Sequence, residues 1–196
     1  DWSSDVCSSD LVRVEGRAAH SSRPDLGANA IETAADVVRA IRGVAASLQQ
    51  ERHLEAHLHN PWVPLNVARI EGGGAVNIVP DACSLTVGYR PLPGMDTDEV
   101  FHRIEAALEP VAAAHPHTPI RARIGRRTAP MLTPEGTPLQ GLLAPHASCP
   151  GAGVATFATD GGNLSILGTQ PLVFGPGDIN VAHRADEYVP VDELHG

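Results

Sequence analysis

Apolar positions along the chain repeat first with period two, then with the helical period, then with period two again. Residues 11–19 alternate, with Val12 and Val14 on one face, and predict a strand. Residues 20–27 follow as a loop punctuated by Pro24 and Gly27. Asn29 then stands where a helix cap is expected, and Glu32 has the spacing of a capping-box partner. Ile31, Ala34, Ala35, Val38, Ile41, Ala45 and Leu48 form one apolar stripe at helical spacing.

From Pro64 the period returns to two. Leu65, Val67 and Ile70 predict a strand, and Gly72, Gly73 and Gly74 a turn. Val76, Ile78 and Val79 predict a further strand, and Leu85, Val87 and Tyr89 another, ended by RPLPG at residues 90–94. Asp96 and Glu99 repeat the capping-box spacing ahead of a second amphipathic helix carrying Val100, Ile104, Leu108 and Val111, which Pro116 and Pro119 stop. Ile120, Ala122 and Ile124 suggest a last strand. The expected order is β-α-β-β-α-β over residues 12–127. That is an α+β, split βαββαβ (ferredoxin-like) arrangement of a four-stranded sheet with both helices on one face.

Residues 128–138, rich in Pro, Gly and Thr, read as a linker or long loop. Beyond them the pattern predicts a short helix at 139–145, a strand at 154–157, an apolar segment ending at Leu167 and a strand at 171–174, PLVF. This stretch, 128–196, reads as α/β but holds too few elements to close a core by itself.

Apolar residues make up 42% of the 196 and aromatic ones 4%, so the core must be built from Ala, Val, Leu and Ile. The net charge is −9, all 14 basic residues are Arg, and no basic run occurs, which argues against nucleic acid as a partner. No apolar run approaches the length of a membrane span. Cys7, Cys83 and Cys149 are scattered, without a C-x-x-C pair. That argues against a disulfide scaffold or a four-cysteine zinc site and suits a reducing, cytoplasmic compartment. Residues 1–11, DWSSDVCSSDL, differ from the rest. They look like the translation of a sequencing-library adapter joined to a reading frame whose true start lies upstream. On that expectation Asp1, Asp5, Asp10 and Cys7 carry no meaning, and the alternative is a disordered native N-terminus.

Candidate chemistry concentrates in residues 175–187, GPGDINVAHRADE, behind the PLVF segment. A strand running into a Gly/Pro turn places side chains at the end of a sheet, where open α/β sheets bind ligands. His183 is a candidate metal ligand there, and Glu187 a carboxylate that could hold its ring in one tautomer; a surface histidine is the plain alternative. His53 and His57 have the spacing of a helical metal pair, with a solvated face as the other reading. With no G-x-S-x-G elbow, His20, Ser21 and Ser22 do not read as a serine hydrolase. Residues 72–74 lack the Lys-Ser/Thr of a P-loop and read as a hairpin turn.

Four segments, in this order, resemble the M20 metallopeptidase family: GRAAHSSRPDLGANAI at 16–31, GGGAVNIVPD at 72–81, RPLPGM at 90–95 and GPGDINVAHRADEYV at 175–189. The resemblance runs from residue 12 to the end. It implies a lid or dimerisation domain over 12–127, followed by an incomplete α/β metallohydrolase domain over 128–196. It implies a two-metal amidohydrolase using Zn²⁺ or Co²⁺ on a small N-acylated amino acid. The reaction expected is the conversion of N-acetylornithine to ornithine and acetate, for arginine synthesis, by a homodimer joined through the lids. A desuccinylase of succinyl-diaminopimelate, an aminoacylase, a carboxypeptidase or a non-catalytic dimerisation module are the alternatives. The resemblance makes His183 a metal ligand, supported by Glu187, and His20 a donor to the oxyanion in the partner subunit's site. It makes Asn77 and Arg90 ligands of the substrate carboxylate, and Gly161 and Gly162 a backbone loop close to substrate. Plain structural roles remain open for each: helix capping or solvent for His20, a sheet edge for Arg90, a turn for Asn77. The family's other metal ligands and general base precede the lid, so this chain by itself is expected to be inactive.

Overall fold

A computed structural model describes residues 7–53, 61–147, 153, 159–178, 181–182 and 184–194. Two compact units divide the chain at Cys7–Pro130 and Met131–Gly196.

In the first unit β1 (Ser8–Glu15), α1 (Ala30–Gln50), β2 (Leu65–Gly72), β3 (Ala82–Tyr89), α2 (Glu99–Ala114) and β4 (Ile120–Arg126) follow one another. The four strands form one sheet in the order β2-β3-β1-β4, with every neighbouring pair antiparallel. This is the split βαββαβ arrangement that the apolar periods predict. β1 and β3 are central, and their alternate residues Val12, Val14, Cys83, Leu85, Val87 and Tyr89 are buried. Against them pack Val37, Ile41, Val44 and Leu48 of α1 and Val100, Ile104 and Leu108 of α2. The centre of the core is aliphatic because Val12, Val14, Leu85 and Val87 of the two central strands face the Val, Ile and Leu stripes of the helices, and such side chains suit a half-buried pleated surface.

Five local readings need correction. β1 starts at Ser8, so residues 8–11, set apart by their composition, belong to the sheet; Ser8 and Asp10 are fully buried. They are accepted because each has a polar partner. The Ser8 hydroxyl donates to the Thr128 carbonyl, and the Asp10 carboxylate accepts from Arg127 Nη1 at 2.7 Å. The segment 76–79 is a turn rather than a strand, and residues 171–174 lie in irregular backbone. Both are short apolar segments of the kind strands contain, but a strand exists only through a neighbour, and apolar sequence does not supply one. The residue ahead of α2 is Asp98 rather than Asp96, and its side chain makes no capping bond; the Asp96 carboxylate accepts from the Asp98 N–H at 2.9 Å. The buried stripe of α1 also includes Val37 and Val44, while Ile31 is exposed.

Asn29 does cap α1. Its side-chain oxygen accepts from the N–H groups of Ile31 and Glu32, while its amide donates to the Glu32 carboxylate at 2.9 Å. The helices are tied at both ends. Arg103 of α2 pairs with Glu51 at the end of α1, and His115, capping α2, donates or accepts between Asp36 and Thr33 of α1 at 2.8 and 3.3 Å.

In the second unit α3 (Pro138–Leu143) starts with a full capping box from Thr137 and Gln140, and α4 is Gly161–Ile166. The predicted strand at 154–157 lies outside the described residues.

Candidate functional site

At the end of the sheet where β1 stops and β3 starts, two loops are stitched together. Gly16 N–H donates to the Asp81 carbonyl at 2.7 Å, and Val79 N–H to the Ala19 carbonyl at 2.8 Å. Ser21 N–H donates to the Asn77 carbonyl at 2.9 Å, and Ala30 N–H, at the start of α1, to the Pro80 carbonyl at 2.9 Å. His20 and Ile78 form an antiparallel bridge, as do Arg17 and Ala28. Close approach of three backbones requires Gly16. A Cβ there would lie 2.2 Å from the Ala28 carbonyl oxygen and 3.1 Å from the Pro80 carbonyl oxygen. The 20–27 loop closes on itself through a 3₁₀ turn at Pro24–Leu26 and a 2.7 Å bond from Arg17 Nε to the Leu26 carbonyl.

This stitching brings His20 and Asn77 to one rim, both exposed. His20 has a defined orientation. Its Nδ1 lies 2.7 Å from Ser22 Oγ and accepts from the Ser22 backbone N–H at 3.2 Å. A backbone N–H can only donate, so Nδ1 is the acceptor and the neutral ring carries its proton on Nε2. The exposed ring therefore presents one fixed N–H donor. Nothing in the sequence pattern showed this lock, although the His-x-Ser spacing is where such a bond forms. Beside the rim a cleft of about 560 Å³ is lined by Ala18, Gly73, Gly74, Ile78, Asp81 and neighbouring residues. Six of its ten lining residues are Gly or Ala.

Arg90 is not part of this rim. It follows the last residue of β3, its N–H donating to the Pro64 carbonyl at 3.2 Å, whereas Asn77 precedes the first. β3 has eight residues, so the two positions sit at opposite ends of the sheet, separated by about 25 Å of strand. The expected joint grip of Asn77 and Arg90 on one carboxylate is therefore not available within one chain.

Gly161 and Gly162 open α4 and are buried. The Gly161 N–H donates to Thr159 Oγ1 at 3.0 Å, and the space a Cβ would take is filled by the Met131 sulfur. The close approach that this glycine permits is thus to Met131. Glu187 is exposed, its N–H donating to the Arg184 carbonyl at 3.3 Å. His183, the candidate metal ligand, lies outside the described residues, as does His57. Among the described residues no three His, Cys, Asp or Glu side chains gather into a group that could hold a metal ion. The described donors do not by themselves make up a two-metal centre. Among the described residues no helix is long and apolar enough to cross a membrane.

Comparison with known proteins agrees with the fold. The sequence matches the peptidase dimerisation domain over residues 8–116. It is 33% identical over 183 residues to acetylornithine deacetylase of Myxococcus xanthus, covering 93% of this chain and 48% of that protein. It is 32% identical over 192 residues to acetylornithine deacetylase of Edwardsiella ictaluri, covering 94% of this chain and 47% of that one. The chain thus spans about half the length of the curated relatives it matches. Among solved structures, the aminopeptidase PepT of Bacillus cereus superposes with a TM-score of 0.63 at 20% identity, covering 96% of this chain and 48% of that one. A tripeptidase of Staphylococcus aureus gives 0.58 at 18% identity, covering 87% and 45%. At these identities the structures attest a shared fold.

Proposed function

The chain belongs to the M20 peptidase family, and from that premise we propose that it is part of a metal-dependent amidohydrolase acting on an N-acylated amino acid, with N-acetylornithine as the substrate. The observation that carries this reading is the split of the candidate residues between the two ends of the lid sheet. A locked His20 beside Asn77 lies at one end and Arg90 at the other. A substrate that meets all three draws them from two copies of the chain, which supports a homodimer in which each lid serves both sites.

Within that arrangement the tasks follow from chemistry. The Nε2–H of His20 donates to the oxygen that becomes negative when the amide carbonyl turns tetrahedral. Arg90 offers a planar fork of donors to the α-carboxylate, and Asn77 a neutral amide donor that orients the acyl end. Zn²⁺ or Co²⁺ belongs to the reading as the cofactor of the whole enzyme. His183 is its one candidate ligand in this chain, and the chain alone is expected to turn over no substrate.

The match of residues 8–116 to a dimerisation domain also fits a purely non-catalytic dimerisation module. The relatives' similarity over 93% of the chain, well past residue 130, favours the hydrolase. A panel of N-acetylornithine, succinyl-diaminopimelate, N-acetyl amino acids and dipeptides, offered to the enzyme that contains this chain, tests the substrate. Preference for N-acetylornithine supports the proposal. Preference for another substrate in the panel moves the chain to another branch of the family, and inactivity on all of them favours the module.

A further inference from the structure

The face of the sheet turned away from α1 and α2 carries a feature that the lid reading does not use. Ser9, Leu11, Arg13 and Glu15 alternate with the buried residues of β1 and so lie on this open face. Their partners on β4 are Arg126 opposite Ser9, Arg123 opposite Leu11 and Arg121 opposite Arg13. Strict alternation along β4 would send Arg126 to the helix side together with Ile120, Ala122 and Ile124. The register shift at Ser9/Asp10 places Gly125 as an extra residue and returns Arg126 to the open face. The shift depends on glycine, since a Cβ at Gly125 would lie 2.7 Å from the Ser9 carbonyl oxygen.

Four guanidinium groups therefore share the open face along one edge: Arg13, Arg121, Arg123 and Arg126. Glu15 answers two of them loosely, at 3.6 Å from Arg13 and 3.7 Å from Arg121. Among the described residues no ion pair engages Arg123 or Arg126. The stripe opposes the sign of the whole chain, whose net charge is −9. β4 is also the outer strand of the sheet, with one row of backbone N–H and C=O groups not used by β1.

We propose that the β4 edge docks an extended acidic segment of a partner protein, added alongside residues 120–124 as a further strand. The fit is one of spacing and charge. Alternate residues of an added strand lie about 6.7 Å apart on one face, the interval between Arg121 and Arg123. Carboxylates at every second residue of the partner meet these guanidiniums across the ladder, where oppositely charged cross-strand pairs are favourable. Arg126, beyond the bulge, takes a carboxylate at the end of the segment. A nucleic acid fits less well. The remaining positions on this face opposite β1 are Ala82, Ser84, Thr86 and Gly88 of β3, so no aromatic ring is available for a base to stack on.

The test is fluorescence anisotropy on the 196-residue chain with a labelled probe peptide of about ten residues in which Glu and Thr alternate. Saturable binding is expected, weakened about tenfold between roughly 50 and 300 mM salt. It is also expected to weaken about tenfold or more in Arg121→Gln/Arg123→Gln. Hydrogen exchange should show protection of β4 amides on binding. These side chains are exposed, so unchanged circular dichroism of the variant confirms that the loss is local. Absence of saturable binding would leave the arginines as a guard against edge-to-edge pairing and would overturn the proposal. So would undiminished binding by the double variant, absence of β4 protection, or equal affinity for a single-stranded oligothymidylate.

Discussion

Gly16→Ala perturbs the point on which the rim depends. The new methyl carbon would sit 2.2 Å from the Ala28 carbonyl oxygen and 3.1 Å from both the Ala30 nitrogen and the Pro80 carbonyl oxygen. Ordinary contact begins near 3.4 Å, so one backbone must retreat by about 1 Å, and overpacking of this kind costs roughly 1–3 kcal/mol. The neighbours cannot retreat freely. The Arg17–Ala28 bridge uses two bonds of 2.9 Å, and the Gly16–Asp81 and Ala30–Pro80 bonds are 2.7 and 2.9 Å. Losing two of these adds about 1 kcal/mol each. The expected destabilisation is about 3–5 kcal/mol. It is measured by urea unfolding of the 196-residue chain with far-UV circular dichroism, comparing midpoints at constant slope. Gly43→Ala supplies a control of opposite sign. Gly43 lies inside α1 with nothing within 4 Å of the added carbon, so alanine should stabilise by about 0.5–1 kcal/mol. A Gly16→Ala chain within about 0.5 kcal/mol of wild type would refute the claim that this glycine holds the two loops together.

Three further outcomes follow from the same geometry. In ¹⁵N spectra of His20 at neutral ring charge, Nδ1 should appear as the unprotonated nitrogen, and Ser22→Ala should shift the ring toward a tautomer mixture; a protonated Nδ1 in wild type would contradict the assigned lock. The Tyr89 hydroxyl is raised well above its ordinary value of 10.0, first by burial and then by the Asp10 carboxylate. The stability that its neutral form contributes is present below the unfolded value and lost as pH rises above it. In Tyr188→Phe, which leaves Tyr89 the sole tyrosine, absorbance at about 295 nm should therefore rise only when circular dichroism reports alkaline unfolding, and an earlier rise would count against the burial account. The Glu51 carboxylate is held below its ordinary value of 4.5, chiefly by its hydrogen bond from Arg103. Its contribution is present above that value and lost as pH falls below it. Arg103→Met should flatten the acid limb of the stability profile by less than about 1 kcal/mol, because the pair is solvent-screened; an unchanged limb would show that the pair contributes nothing.

Most of the fold is legible in the apolar periods because each central strand and each helix buries one face. Misplacements occur where that contrast is weak. α1 contains Ala, Val and Gly on several sides, so its apolar pattern points toward Ile31 and leaves out Val37 and Val44, which the fold buries. Segments 76–79 and 171–174 are apolar like strands, but pairing is a tertiary property that local sequence does not encode. The candidate site was legible as a set of residue types and not as an arrangement. The His20–Ile78 bridge joins residues far apart in sequence, and no local pattern announces it. The apolar pattern offers Val76–Val79 as a strand separate from Leu85–Tyr89, so the eight-residue run of β3 that sets Asn77 and Arg90 apart is known only from the structure. The Gly125 bulge shows the reverse case, since one residue that breaks an alternation re-aims Arg126.

The most direct measurement of the central claim is steady-state hydrolysis of N-acetylornithine by the enzyme that contains this chain, comparing wild type with His20→Ala. The expected result is a kcat lower by about 100- to 1,000-fold with KM little changed, since a donor to the oxyanion acts in the transition state and not on the bound substrate. A His20→Ala enzyme that keeps the wild-type kcat, or one that loses only substrate affinity, would contradict the role assigned to the locked imidazole at the rim.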